Sequence, residues 1–247
     1  FFGLATVLGG FVFGLGMTLA VGCAGAVLFR AGEGRLDYVL AVAGYAVGVW
    51  ASNDWLAQPL QRIMGGSGAA LTLHKTLAVD RRLVVVILAL AAILWVIRGQ
   101  HHPYKGGWDW GRTGLAVGVV GVAAWATSAM TGHPTGLGTL QGSDRLATLI
   151  LEQDLSALDW SLFLVVGIPL GSYIASWLHG ASLGSIPPKR LSRAAVGGLL
   201  MGLGASVAAG DNVAHGLSGV PLLAVGSLTF MVCMFLGVWA GVRLRWL

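Results

Sequence analysis

Two stretches decide how this chain folds: GGFVFGLGMTLAVGCA at 9–24 and GGLLMGLGASVAAGDN at 197–212. At a constant offset of 188, Gly9, Gly10, Gly14, Gly16 and Gly22 match Gly197, Gly198, Gly202, Gly204 and Gly210. Leu15 and Ala20 match Leu203 and Ala208. The units then close on the same tetrad, GVWA, at 48–51 and 237–240, with one residue inserted. Chance in a Gly-rich chain supplies a few glycine matches, but not five with a second identical tetrad. The pattern reads as a duplication, with unit one over 3–51 and unit two over 194–241.

The composition around these units agrees with their apolar character. Of 247 residues, 56% are hydrophobic and only 10% are Asp, Glu, Lys or Arg. A soluble domain carries roughly 25% charged residues and could not clothe its surface with so few. Mean hydropathy is +0.79. A disordered chain, a soluble α/β enzyme and a secreted disulfide scaffold are excluded. Cys23 and Cys233 are too few for a disulfide framework. The 39 glycines suit close helix packing and broken helices in lipid. The net charge of +5 does not point to nucleic acid, because the basic residues are scattered between apolar runs.

Seven apolar runs stand at 3–21, 36–51, 83–97, 113–130, 160–178, 194–209 and 220–241. They are continuous rather than alternating, which excludes a β-barrel. A straight span needs about 20 residues. The runs at 36–51, 83–97 and 194–209 must therefore extend into polar flanks or be half-helices. Trp50, Trp95, Trp160, Trp177 and Trp239 sit near run ends, as an interfacial belt would place them. Glycines four apart recur at Gly10/Gly14, Gly44/Gly48, Gly114/Gly118, Gly198/Gly202 and Gly237/Gly241, and read as packing positions. The expected fold is all-α: one integral membrane domain over 1–247, a polytopic helical bundle with two pseudo-symmetric repeats containing broken or re-entrant half-helices. The units begin at the first and sixth runs, and opposite parity would make them inverted. Basic loops at 98–112 and 179–193 favour the cytoplasmic side. The 52–82 segment, basic as well, is long enough to hold an extra half-helix that would change this parity. The chain opens on Phe1-Phe2 with no basic region before its first run, so no signal peptide is recognised. The expectation is a removed start or a piece of a longer protein.

Each unit carries one interruption. In unit one, Gly22-Cys23-Ala24-Gly25 follows the apolar run, and in unit two Gly210-Asp211-Asn212 does. Pro221 lies just beyond the second. Unpaired backbone at membrane depth survives only against protein or a water-lined cavity, so paired breaks point to a transport site. A half-helix starting after Gly22 would aim free N–H groups and a positive dipole end at the break, which favours an anion. A thiol there has its pKa lowered, and soft sulfur suits a sulfur- or selenium-bearing ligand. Cys23 reads equally as a small packing residue. Asp211 is a functional candidate, because a carboxylate beside an apolar run is expensive; its other reading is a cap. Asn212 reads as a similar cap. His215 and Ser218 read as ligand donors or as residues closing the turn. Arg30 would draw in an anion with Glu33 holding it, or the two form an interfacial ion pair. Cys233, inside MVCMFLG, reads as packing.

Elsewhere, His101-His102 reads as a solvated loop rather than a metal site. Trp108-Asp109-Trp110 reads as an interfacial anchor, and TGHPTG at 131–136 as a turn whose His133 reaches toward a vestibule. There is no P-loop, G-x-S-x-G, HExxH or CxxC, so no cofactor, metal or enzymatic activity is expected.

At GGFVFGLGMTLAVGCAGAVLFRAGEG and GGLLMGLGASVAAGDNVAHGLSGVPLLAVGS the chain resembles the YeeE/YedE family of sulfur-compound transporters. That family includes thiosulfate transporters and proposed selenium transporters. The match covers 9–51 and 194–241, with AMTGHPTG at 129–136 a weaker one. The resemblance implies a bundle with pseudo-symmetric halves and short helices dipping to the midplane. It also implies cysteines that pass thiosulfate along a central path by S–H···S contacts. Cys23 matches the first Gly-Cys motif, while Asp211 stands where the second normally has Cys. A further Cys-bearing segment is missing, so the chain departs from a multi-cysteine relay. An anionic Asp211 would repel thiosulfate unless protonated or paired; otherwise the substrate differs, or Asp211 couples proton movement. Family members often work with a cytoplasmic sulfur carrier of the TusA type.

The expected function is transport of a small sulfur- or selenium-containing species, such as thiosulfate, across a bacterial inner membrane. The pathway residues would be Gly22, Cys23, Ala24, Arg30, Glu33, Gly210, Asp211, Asn212, His215 and Ser218. The rivals are a non-transporting membrane subunit of a larger complex and a membrane sulfur-transfer protein using a Cys23 persulfide.

Overall fold

The computed structural model describes residues 3–64, 72, 80–98, 108–130, 136–179 and 187–244. His101, His102 and His133 lie outside the described residues. Two compact units divide the chain, one built from 1–70 and 137–247 and one from 71–136. Among the described residues the regular structure is helical, with no strand.

The larger unit opens with α1 (Leu4–Ala20), α2 (Ala24–Gly32) and α3 (Leu36–Ser52). A π-helical turn at Asn53–Ala57 leads into α4 (Gln58–Met64), so a short helix does occupy the start of the 52–82 segment. The smaller unit holds α5 (Arg81–Arg98) and α6 (Trp110–Met130). The larger unit resumes with α7 (Leu140–Leu151), α8 (Trp160–His179), α9 (Pro188–Ala208) and α10 (Val225–Arg243). The short run at 194–209 extends backward through Lys189, Arg190 and Arg193 into a helix of 21 residues. The run at 83–97 extends to 18 residues by taking in Arg81, Arg82 and Arg98. Among the described residues, five helical segments are long and apolar enough to cross a membrane: Leu4–Gly32, Gly111–Met130, Trp160–Leu178, Pro188–Ala208 and Val225–Arg243. The chain is a multi-pass membrane protein with a helical bundle fold.

Glycine sets how the central helices meet. A Cβ at Gly9 would stand 2.6 Å from the Gly204 carbonyl oxygen, and one at Gly204 2.6 Å from the Gly9 carbonyl oxygen. A Cβ at Gly16 would stand 2.6 Å from the Gly197 oxygen, and one at Gly197 2.8 Å from the Gly16 oxygen. Only glycine permits backbones this close. Because Gly9 faces Gly204 while Gly16 faces Gly197, α1 and α9 run antiparallel. The flanking contacts follow the same numbering. On α9 and α3, a Gly202 Cβ would meet Val49 N at 2.8 Å and a Gly48 Cβ would meet Gly202 Cα at 3.2 Å. On α1 and α10, a Gly14 Cβ would meet Val238 N at 2.9 Å and a Gly237 Cβ would meet Gly14 Cα at 3.1 Å. Phe13, Tyr38, Tyr45, Val49, Met201, Phe230 and Met234 fill the core among these helices.

The two interruptions are built alike. α1 ends at Val21 (φ 54°) and α9 at Ala209 (φ 58°), both left-handed. Gly22 N donates to Met17 O at 3.2 Å, and Gly210 N donates to Ala205 O at 2.9 Å. These turned-back amides satisfy carbonyls that a helix end otherwise leaves unpaired. After the break the units differ. α2 is a regular helix of nine residues, about 13 Å long and too short to span a bilayer. Its counterpart is a π-helical turn at Ala214–Gly219.

Candidate functional site

The breaks adjoin each other in the larger unit. Cys23 is the N-cap residue of α2, in extended conformation, and is partly exposed. Its side chain makes no capping hydrogen bond. The cap comes instead from the other break: Ala24 N donates to Asn212 Oδ1 at 3.3 Å. Ala24 and Asn212 are the residues that the offset of 188 equates. Gly25 also faces break two, where its Cβ would meet Val213 Cγ2 at 3.5 Å.

Asp211 is fully buried. Its Oδ1 accepts from Ala214 N at 2.7 Å. Its Oδ2 accepts from Thr139 N at 2.7 Å, from the Thr139 hydroxyl, and from Tyr45 Oη at 3.4 Å. The capping reading is thus part of the geometry, since Ala214 opens the π-helical turn. The carboxylate also ties three distant pieces together: α3 through Tyr45, the lead-in to α7 through Thr139, and its own turn. Four donors on two oxygens offset much of the cost of burying it. That lead-in grips the second break again, because Ser218 Oγ donates to Leu137 O at 2.9 Å. His215 places Nδ1 2.9 Å from Ser227 Oγ and stacks on Phe230 with ring centroids 4.2 Å apart. Gly210 is required beneath it, since a Cβ there would stand 2.7 Å from His215 Nε2.

Arg30 does not pair with Glu33 among the described residues. It donates to the Tyr38 hydroxyl, and Tyr38 Oη donates in turn to Val21 O at 3.3 Å. Buried Asp37 accepts from Arg190 Nε at 2.8 Å and Arg35 Nη2 at 3.2 Å. At the far end of α2, Ser172 Oγ of α8 donates to Phe29 O at 2.6 Å. Cys233 is buried in α10, with its Cβ 3.3 Å from where a Gly10 Cβ would stand, in keeping with packing.

Gly22, Cys23, Ala24, Gly210, Asp211 and Asn212 thus come together, with His215 and Ser218 on the turn behind. Arg30 and Glu33 lie near the other end of α2, from which the Arg30 guanidinium meets the Tyr38 hydroxyl that bonds Val21 O. Sequence reading missed Tyr45, Thr139, Tyr38, Asp37 and Arg190. Tyr45 and Thr139 lie 166 and 72 residues from Asp211, and no local pattern marks them. Asp37 carried a signal, as an acid at the edge of an apolar run.

Apolar membrane-crossing helices around a pair of interrupted ones, with polar side chains at the interruptions, define a membrane transport protein. The chain belongs to the sulphur transport family, whose model matches residues 1–240. It transports a sulfur compound across a membrane. It is 32% identical to the thiosulfate transporter TsuA of Spirochaeta thermophila, over 96% of this chain and 76% of that one. It is 29% identical to the thiosulfate transporter TsuA of Escherichia coli, over 96% of this chain and 73% of that one.

Proposed function

We propose that the chain carries thiosulfate or a similar small sulfur anion past Cys23, at the junction of its two breaks in a bacterial inner membrane. The supporting observation is the position of Cys23. It is partly exposed, caps no helix with its side chain, and stands at the N-terminus of α2. Amides at that end carry partial positive charge. The thiol S–H is a weak donor to a terminal sulfur. The paired glycine contacts of α1 with α9 support an inverted duplication, with the breaks meeting near the pseudo-two-fold axis. Asp211 replaces a second thiol with a carboxylate that fixes break two from behind. Asn212 joins the breaks by capping α2. The reading is of transport rather than catalysis, because among the described residues no hydrogen bond joins the Cys23 thiol to a base. A cytoplasmic sulfur carrier of the TusA type would receive the cargo at the basic loops.

The test is protection of Cys23. Thiosulfate slows its alkylation by N-ethylmaleimide in a C233A background, while sodium chloride of equal ionic strength does not. Equal rates with both salts would defeat the proposal.

A further inference from the structure

Three guanidinium groups crowd one aromatic ring beside the first break. The Cζ atoms of Arg30, Arg35 and Arg190 lie 5.2, 4.7 and 6.0 Å from the Tyr38 ring centroid. Tyr38 is fully buried and touches the break directly. Its hydroxyl bonds the carbonyl of left-handed Val21, and its Cε1 lies 3.7 Å from where a Gly22 Cβ would stand. Cys23 is the next residue.

The charges here do not balance. Asp37 is one buried carboxylate, and two arginines hold it. Arg30 touches no carboxylate among the described residues. Glu33 is partly exposed and joins none of the three. Arg190 also sits in the first turn of α9, where the helix dipole disfavours a cation. Stacking on one aromatic face offsets only a small part of the repulsion among three guanidinium groups. Three like charges gathered on one ring, with one Asp among them, leave a positive excess of two, which a divalent anion would offset. Guanidinium forks suit oxyanions geometrically.

The excess belongs to one break only. At the offset of the repeat, Ser218 stands for Arg30 and Leu223 for Arg35. With the inserted residue counted, Gly226 stands for Asp37 and Ser227 for Tyr38. The second break carries none of this charge.

We propose that Arg30, Arg35 and Arg190, gathered on Tyr38, form a binding subsite for a small divalent oxyanion at the first break, beside Val21 and Gly22. The subsite rests on the reading that an anion moves past Cys23. It adds residues that hold the anion at the end of the path marked by the first turn of α9. An anionic lipid headgroup shares the chemistry.

The test reads the local potential at Cys23 in the full chain, as C233A, in phosphatidylcholine proteoliposomes. Cys23 is modified with 2-sulfonatoethyl methanethiosulfonate or with its cationic trimethylammonium analogue. Each rate is divided by that of a free thiol. The anionic reagent is expected to be favoured. Arg30→Gln, which keeps a donor for Tyr38, should lower the preference about fivefold, and Arg30→Lys should keep it. Sulfate should slow the anionic reagent in the parent but not in Arg30→Gln. An equal ratio in parent and Arg30→Gln overturns the proposal. So does a preference erased by adding phosphatidylglycerol, which assigns the cluster to lipid. Should Arg30→Gln fail to fold, salt titration of the parent decides. The preference should fall with added sodium chloride, and a flat response overturns the proposal. Thiosulfate uptake is read separately in the same vesicles. No uptake with an intact preference sinks the transport reading and leaves the subsite. Uptake with no preference sinks the subsite alone.

Discussion

Asp211 shows how one side chain closes a break that backbone alone leaves open. Burying a carboxylate is tolerable here because Thr139, Tyr45 and Ala214 all donate to it. Asp211→Ala strands the Thr139 and Ala214 donors inside the protein. Each unsatisfied group costs about 1–3 kcal/mol, so the variant should lose about 3 kcal/mol or more. Thermal unfolding in detergent reads this, and an unchanged midpoint would contradict the latch. Asn212→Ala removes only the cap on Ala24, a loss of about 1 kcal/mol, and should leave the protein folded. The carboxylate was visible in the sequence because charge is rare in so apolar a chain. Its partners were not, because Thr139 and Tyr45 are ordinary residues of a Gly-rich loop and an apolar helix. Arg30 and Glu33, three apart, read as a pair, but burial of Tyr38 turned Arg30 toward its hydroxyl.

The central helices meet where a glycine of one lies against the backbone of the next. Gly14, Gly48, Gly202 and Gly237 have neighbouring backbone inside the space of a Cβ. Gly114 and Gly118 share the same spacing, yet no heavy atom of the described residues lies within 4 Å of a Cβ at either. The two classes should respond oppositely to alanine. Gly202→Ala pushes on the Val49 backbone, which cannot rotate away, and should cost about 1–3 kcal/mol. Gly114→Ala should gain about 0.5–1 kcal/mol from helix propensity alone. Matched unfolding measurements decide, and equal effects would mean that the packing assigned to Gly202 is wrong. Spacing alone marked all these glycines as packing positions in the sequence, and it does not tell a face against another helix from an open one. The N-terminal end of α9 takes one of the two courses the sequence left open, extension into the polar flank. Lys189, Arg190 and Arg193 look like loop, but their long side chains allow the first turn to stay helical while the charge reaches polar surroundings.

At the scale of the whole molecule, two interruptions with the same left-handed turn meet but differ in chemistry. One break has a thiol, a regular half-helix and an arginine cluster. The other has a buried carboxylate and a π-helical turn. The two breaks were legible because Gly22 and Gly210 follow apolar Gly-rich runs in the sequence. The asymmetry was only partly so: Cys23 against Asp211 can be read directly, but Arg190 joins the first break from 152 residues away from Tyr38. Proteoliposome uptake of labelled thiosulfate tests the central claim most directly, comparing the parent, Cys23→Ala and Cys233→Ala. The account predicts uptake by the parent and by Cys233→Ala, and at least a tenfold loss in Cys23→Ala protein that remains folded. Undiminished uptake in Cys23→Ala would contradict it.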